Sequence, residues 1–114
     1  RGVLHTGDVS IVRDFLDVRD VVSAYSALLL HGKRGEIYNV CSGIGRSLRQ
    51  VVDLIADKLS LEIEIREDPK MIRPNDNNIV VGSNEKIKKE TGWMNDIPFE
   101  KSIDDIIAHW DTIE

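Results

Sequence analysis

The chain has 114 residues, 41% of them apolar and 31% charged, which suits one ordinary globular domain, residues 1–114, with a modest core. Its formal net charge of −5 argues against a nucleic-acid partner, which needs a clustered basic face, and no apolar run approaches the ~20 residues that cross a bilayer. The single cysteine, Cys41, excludes an internal disulfide and suits a reducing, cytoplasmic setting.

The opening stretch reads as irregular, with Gly7-Asp8 as a turn, and Val9-Ser10-Ile11-Val12 alternates enough for a short strand. From Asp17 the period changes. Val18, Val21, Val22, Tyr25, Leu28 and Leu29 share one helical face, Asp17 can cap the start and Gly32 stands just past the end, so the spacing predicts a helix over 18–31. Glu36-Ile37-Tyr38-Asn39-Val40-Cys41 is a compact run of the kind that forms a buried parallel strand. A glycine turn over 42–46 leads to Ser47, a good N-cap, and Leu48, Val51, Val52, Ile55 and Leu59 then predict an amphipathic helix over 48–59. Glu62-Ile63-Glu64-Ile65-Arg66 alternates as a half-exposed strand does. Asp68-Pro69 and Arg73-Pro74 break regularity, leaving a loop over 68–78 before a brief strand at 79–81. Ser83 is placed to cap a short charged helix, 84–91, that stops at Gly92. Pro98 introduces a last helix, 99–113, with Phe99, Ile103, Ile106, Ile107 and Trp110 on its buried side. Helices alternating with short strands make the fold class α/β, with an α+β-like character.

Two arginines stand out as candidate ligands of a small anion. Arg13 and Arg73 each fall where the chain leaves regular structure, and a guanidinium fork matches a diphosphate. The competing reading of Arg13 is a surface salt bridge to Asp14 or Asp17, which contributes little. Arg73 has the same alternative, set against its loop position and the rigid Pro74. Asp76 and Asn75 suit sugar hydroxyls, or simply the turn after Pro74. Gly43-Ile44-Gly45 before a helix resembles the start of a phosphate loop but lacks a third glycine, where Leu48 stands, so a plain strand-to-helix turn is the simpler reading. His5, His31 and His109 are far apart with no ligand spacing around them, which gives no metal site. Tyr25 and Tyr38 fall on predicted buried faces, neither with a lysine four residues on, and Trp93 and Trp110 read as core anchors. No nucleophile, acid–base pair or cofactor loop is present, so no catalytic and no cofactor-binding residue is assigned.

Longer stretches carry a resemblance. Arg13-Asp14-Phe15-Leu16-Asp17-Val18-Arg19-Asp20 with Val21-Val22-Ser23-Ala24-Tyr25, then Gly35-Glu36-Ile37-Tyr38-Asn39-Val40-Cys41-Ser42-Gly43 with Ser47, are the first. Asp68-Pro69, Arg73-Pro74-Asn75-Asp76, Gly82-Ser83, Lys86-Ile87, Thr91-Gly92-Trp93 and Ile97-Pro98-Phe99-Glu100 follow in order. Together they resemble the C-terminal portion of the extended short-chain dehydrogenases/reductases, the NAD-dependent epimerase/dehydratase family that acts on nucleotide sugars. They are most similar to the branch holding GDP-mannose 4,6-dehydratase and GDP-6-deoxy-4-keto-mannose reductase.

By that resemblance the chain is the substrate-binding part of a Rossmann-type enzyme. Arg13 and Arg73 clamp the diphosphate of a GDP-sugar, and Asp76 holds the ribose hydroxyls. The cofactor turn and the catalytic Ser/Thr and Tyr-x-x-x-Lys set belong to an N-terminal Rossmann domain upstream of Arg1, which becomes the partner of this piece. The whole enzyme passes a hydride between NAD(P) and the hexose, while these 114 residues bind no cofactor and orient the substrate. The helix over 18–31 and the strand over 36–41 then pack on the missing half, and the isolated chain exposes apolar surface and either self-associates, as a homo-oligomer, or rearranges. Two alternatives stay open: a lobe of a UDP- or dTDP-sugar epimerase or dehydratase, and a stand-alone, non-catalytic nucleotide-sugar-binding or assembly module. By the resemblance, the stretch from Arg13 to Asp20 leans towards the reductase without separating it from the dehydratase, while NAD against NADP and the hexose itself are not encoded in these residues.

Overall fold

The computed structural model describes residues 2–72 and 78–113. In chain order the elements are β1 (Gly2–Thr6), β2 (Val12–Asp14), α1 (Val18–His31), β3 (Gly45–Ser47), α2 (Leu48–Lys58), β4 (Ile63–Glu67), β5 (Ile79–Val80), α3 (Glu85–Thr91) and α4 (Phe99–Ile113), with a 3-10 turn at Pro69–Met71. They fall into two compact units, one of Arg1–Arg13 and Gly45–Val80, the other of Asp14–Ile44 and Val81–Glu114. No helix among the described residues is long and apolar enough to cross a membrane.

The first unit holds two small sheets. β1 runs parallel to β4 with Leu4 opposite Ile65, and β2 lies between β3 and β5, parallel to β5 with Val12 opposite Ile79. The opening stretch is therefore a strand rather than irregular. Its partner lies far along the chain, and so non-local a pairing leaves no periodic mark in so short a segment. The expected strand at 9–12 is displaced towards Asp14. Val9 and Ile11 are buried, and their carbonyls accept from the amides of Arg49 (2.9 Å) and Leu48 (3.0 Å), which ties this segment to the start of α2. Ser47 caps α2 as expected, in a capping box: its hydroxyl accepts from the Gln50 amide, and the Gln50 side chain accepts from the Ser47 amide at 2.7 Å.

The second unit packs α1, α3 and α4 with the extended segment between α1 and β3. Ala24, Ile87 and Trp93 form its core, flanked by Leu16, Ala27, Leu28, Tyr38 and Val40. Trp93 also donates its indole N–H to the Ser23 hydroxyl at 2.9 Å, so it is the core anchor expected of it. Phe15 meets Phe99 ring to ring at 5.8 Å. Gly92, at φ +77°, ends α3 in the left-handed conformation and donates to the Lys88 carbonyl.

Several expectations about this unit are corrected. α1 spans 18–31, but its buried side is Asp20 and Ala24, with Ala27 and Leu28 partly covered, whereas Val18, Val22, Tyr25 and Leu29 face solvent, Leu29 at 89%. The helix carries apolar residues on two sides, and only one is covered here. Residues 36–41 are extended but join no sheet among the described residues, and Ile37 is 83% exposed. On α4, Ile103 is buried, yet Ile106 and Trp110 are more than half exposed, so Trp110 is no core anchor. The N-cap of α3 is Asn84 rather than Ser83. Its side chain makes no cap because its amide donates to the carbonyls of Cys41 (3.0 Å) and Ser42 (3.2 Å).

Candidate functional site

The acids of the motif Arg13 to Asp20 hold the chain together. Asp14 accepts from the Ser42 amide (2.8 Å), the Ser42 hydroxyl (2.7 Å) and the Gly43 amide (2.8 Å). Burial pushes its carboxyl up, but these bonds, with one from the Gly82 amide, outweigh burial and hold it below the ordinary carboxylate range. Asp17 caps α1, pairs with Arg19 at 2.8 Å and accepts from the Ser102 hydroxyl at 2.6 Å. The Arg19 guanidinium is the main reason that its carboxyl lies far below the usual range. Asp20, 3% exposed, accepts from the amides of Asp96 (3.0 Å) and Ile97 (3.1 Å).

Arg13 sits on β2 in the first unit, half-buried, opposite Val80, and donates to the Val12 carbonyl at 2.9 Å. The residues just before it line a cleft of about 630 Å³, a size typical of small-ligand sites. Thr6, Gly7 and Asp8 come from the end of β1, and Val9 and Ile11 from the approach to β2. α2 contributes Leu48, Val51 and Val52, and Met71, Ile72 and Asn78 complete the lining. Gly7 is required there, because a Cβ would stand 2.9 Å from the Met71 carbonyl oxygen. The lining is apolar with a few polar groups, the composition that suits a planar, partly polar ring.

Arg73 and Asp76 lie outside the described residues, so of the three expected substrate ligands Arg13 alone is placed. The segment 43–45 is a turn rather than a phosphate cradle. The Gly43 amide serves Asp14, the Ile44 amide serves the Ser42 hydroxyl at 3.1 Å, and the amides of residues 48, 49 and 50 are engaged by Ile11, Val9 and Ser47. With those donors engaged, the start of α2 has no free crown of amides for an anion. Sequence reading missed the cleft. Leu48, Val51 and Val52 read as a core stripe, and Gly7-Asp8 read as a turn, both correct as local descriptions. The signal available was Gly7 itself, since a glycine can mark close backbone approach as well as a turn.

Comparison with known proteins agrees with this architecture. Residues 1–106 match the family model described as GDP-mannose 4,6 dehydratase. The chain is 41% identical over 109 residues to a GDP-6-deoxy-D-mannose reductase of Pseudomonas aeruginosa, covering 96% of this chain and 36% of that protein. It is 36% identical over 90 residues to UDP-arabinose 4-epimerase 1 of Arabidopsis thaliana, covering 77% of this chain and 21% of the relative. Among solved structures, RMD from P. aeruginosa complexed with NADPH superposes with a TM-score of 0.91 at 39% identity, over 98% of this chain and 37% of that one. UDP-glucose 4-epimerase of Thermotoga maritima, with UDP-glucose, gives 0.87 at 26% identity over 97% and 36%. The chain spans little more than a third of the reductase it matches. With a mixed α/β fold shared with Rossmann-type neighbours and a family match over nearly its whole length, the chain belongs to the GDP-mannose 4,6-dehydratase family of the extended short-chain dehydrogenases/reductases.

Proposed function

We propose that this chain is the nucleotide-sugar-binding portion of a GDP-mannose 4,6-dehydratase or GDP-6-deoxy-4-keto-mannose reductase, holding the substrate while a hydride passes to or from NAD(P). The observation that carries the reading is the cleft of about 630 Å³ whose lining runs along the chain into β2, the strand that bears Arg13. A base fits such an apolar-walled cleft, and a guanidinium on the same strand gives the diphosphate a bidentate partner. Arg73 is the second arm of that clamp, and Asp76 is the acceptor for the ribose hydroxyls. The role of these groups is positioning: holding the sugar in one orientation converts an encounter into an aligned reaction.

NAD(P) supplies or accepts the hydride when bound, and no residue of this chain is assigned to it. Its site belongs to the further Rossmann domain of the longer protein, for which the apolar outer side of α1 and the unpaired segment 36–41 offer a covering surface. In this reading the 114 residues act together as one substrate-binding lobe of a cytoplasmic enzyme. The second reading, a UDP-sugar enzyme, is favoured by the identity to UDP-arabinose 4-epimerases. Calorimetric titration with GDP, UDP and dTDP separates the two, with Arg13→Ala and Arg73→Ala as controls on the clamp. GDP-selective binding that both variants weaken by tenfold or more, about 1.4 kcal/mol, supports the first reading. Selective UDP binding would replace it with the second, and binding indifferent to both arginines would remove the clamp.

A further inference from the structure

The cleft holds one ionised group among its lining, and that group has no evident place in a site for an anion. Asp8 lines the cleft between Gly7 and the buried Val9. A carboxylate beside a diphosphate repels it, so at the phosphate end of the substrate Asp8 would oppose binding. At the base end the same charge is useful if the base presents donors.

We infer that Asp8 selects the base of the bound nucleotide, the carboxylate oxygen that Ser10 leaves unused accepting from N1–H and the exocyclic amino group that guanine carries side by side. The inference rests on the nucleotide-sugar reading above and assigns a determinant to the same cleft. The two bonds that Ser10 makes to the Asp8 side chain fall on one oxygen, Oδ1, which accepts from the Ser10 amide (2.9 Å) and the Ser10 hydroxyl (2.5 Å). An ionised carboxylate offers about four acceptor positions, two on each oxygen. Ser10 therefore fills Oδ1 and fixes the side chain, leaving the two positions of Oδ2 for an incoming pair of donors. The Ser10 bonds also hold the Asp8 carboxyl below its ordinary range, so it is ionised, and acceptor-only, at neutral pH.

The base chemistry supplies the selectivity. Guanine is the common base with two adjacent donors on one edge, and they converge on a single acceptor as the two N–H groups of a urea do. Uracil and thymine flank their one N–H with carbonyl oxygens, which a carboxylate repels. Inosine keeps N1–H and lacks the amino group. The apolar remainder of the lining, Leu48, Val51, Val52 and Ile72, suits the faces of the ring without discriminating among bases.

The test is calorimetric titration of the chain and of Asp8→Asn with GDP, IDP and UDP. Asparagine keeps an oxygen for Ser10, so the turn survives, but sets an amino donor where Oδ2 stands; an unchanged melting temperature verifies that the fold does too. The wild type is expected to prefer GDP over both IDP and UDP by about tenfold or more, the scale of a good two-donor base contact. The variant should lose that preference through weaker GDP binding, with UDP affinity moving less than about threefold, well under the effect of losing such a contact. A GDP-to-UDP ratio that is the same in both proteins overturns the role of Asp8 while leaving nucleotide binding in place. No binding of any nucleotide by the wild type overturns the functional reading and this inference with it.

Discussion

The most direct test of how this family motif holds its fold is to remove the Asp20 carboxylate. Asp20 is 3% exposed and accepts from the Asp96 and Ile97 amides at 3.0 and 3.1 Å, pinning the segment before α4 to the first turn of α1. In Asp20→Ala both amides lose their acceptor. A buried donor left unmet costs about 1–3 kcal/mol. Asp96 is exposed and its amide can recruit water, whereas Ile97 is half-buried, so the sum falls short of twice that range. Loss of an acidic side chain from the first helical turn adds a further ~0.3–1 kcal/mol. The expected total is about 2–4 kcal/mol, a large share of the ~5–15 kcal/mol that stabilises a typical domain. Asp20→Asn keeps the shape and one acceptor but aims an amino group at one of the amides, and should cost about 1–3 kcal/mol. Urea unfolding read by tryptophan fluorescence gives both values, and on thermal melting Asp20→Ala should lower the midpoint by roughly 8–16 °C. If both variants lie within about 0.5 kcal/mol of wild type, the typical range of an exposed substitution, the two bonds do not brace the segment and the argument is wrong.

Acid should act through the same motif. The Asp14 and Asp17 carboxyls lie below their unfolded values in the folded chain, so the stability they contribute is present above the ordinary carboxylate range near ~4 and is lost as pH falls through it. Melting temperature should drop between about pH 5 and pH 3, and Asp17→Asn should flatten that slope, which a pH series of melts reads directly. The two tryptophans should behave oppositely: Trp93→Ala is expected to cost about 3–5 kcal/mol, while Trp110→Ala, at a residue 60% exposed, should change the stability of this chain by less than about 0.5 kcal/mol. Gly7→Ala drives a methyl group against the Met71 carbonyl, so it should cost about 1–3 kcal/mol by overpacking and weaken nucleotide binding by calorimetry. A Gly7→Ala chain that binds as the wild type does would show that the close approach is not needed for the cleft.

The elements that were legible from sequence are those whose determinants are local. α1, α2 and α4 follow from apolar period, and their ends from Asp17, Ser47 and Pro98, because a cap acts within three or four residues of itself. β1 was not legible, since its five residues become a strand only through β4, far along the chain. Of the candidate site residues, Arg13 is expected where the chain leaves regular structure, whereas the structure places it within β2. The cleft beside it was not legible, because a stripe such as Leu48, Val51 and Val52 has the same period whether it covers a core or walls a pocket. Period reports that a face is apolar and says nothing of what covers it.

That distinction bears most on α1. Its apolar residues at 18, 22, 25 and 29 recur at helical spacing as regularly as a core stripe, and the core in fact lies on the opposite side, at Asp20, Ala24, Ala27 and Leu28. An amphipathic surface helix has one apolar stripe, and a helix apolar on two sides belongs between two layers. The same holds for 36–41, whose composition is that of a strand buried on both faces while Ile37 stands exposed. Both features lie in a chain that spans little more than a third of the reductase it matches. In the reading proposed above, they are the sides turned towards the rest of the protein. Sedimentation measures the consequence: the 114-residue chain should associate with increasing concentration, and replacing Val22 and Leu29 by serine should return it to a monomer without lowering its melting point. Association that survives both replacements would place the sticky surface elsewhere and remove the case for a second layer on α1.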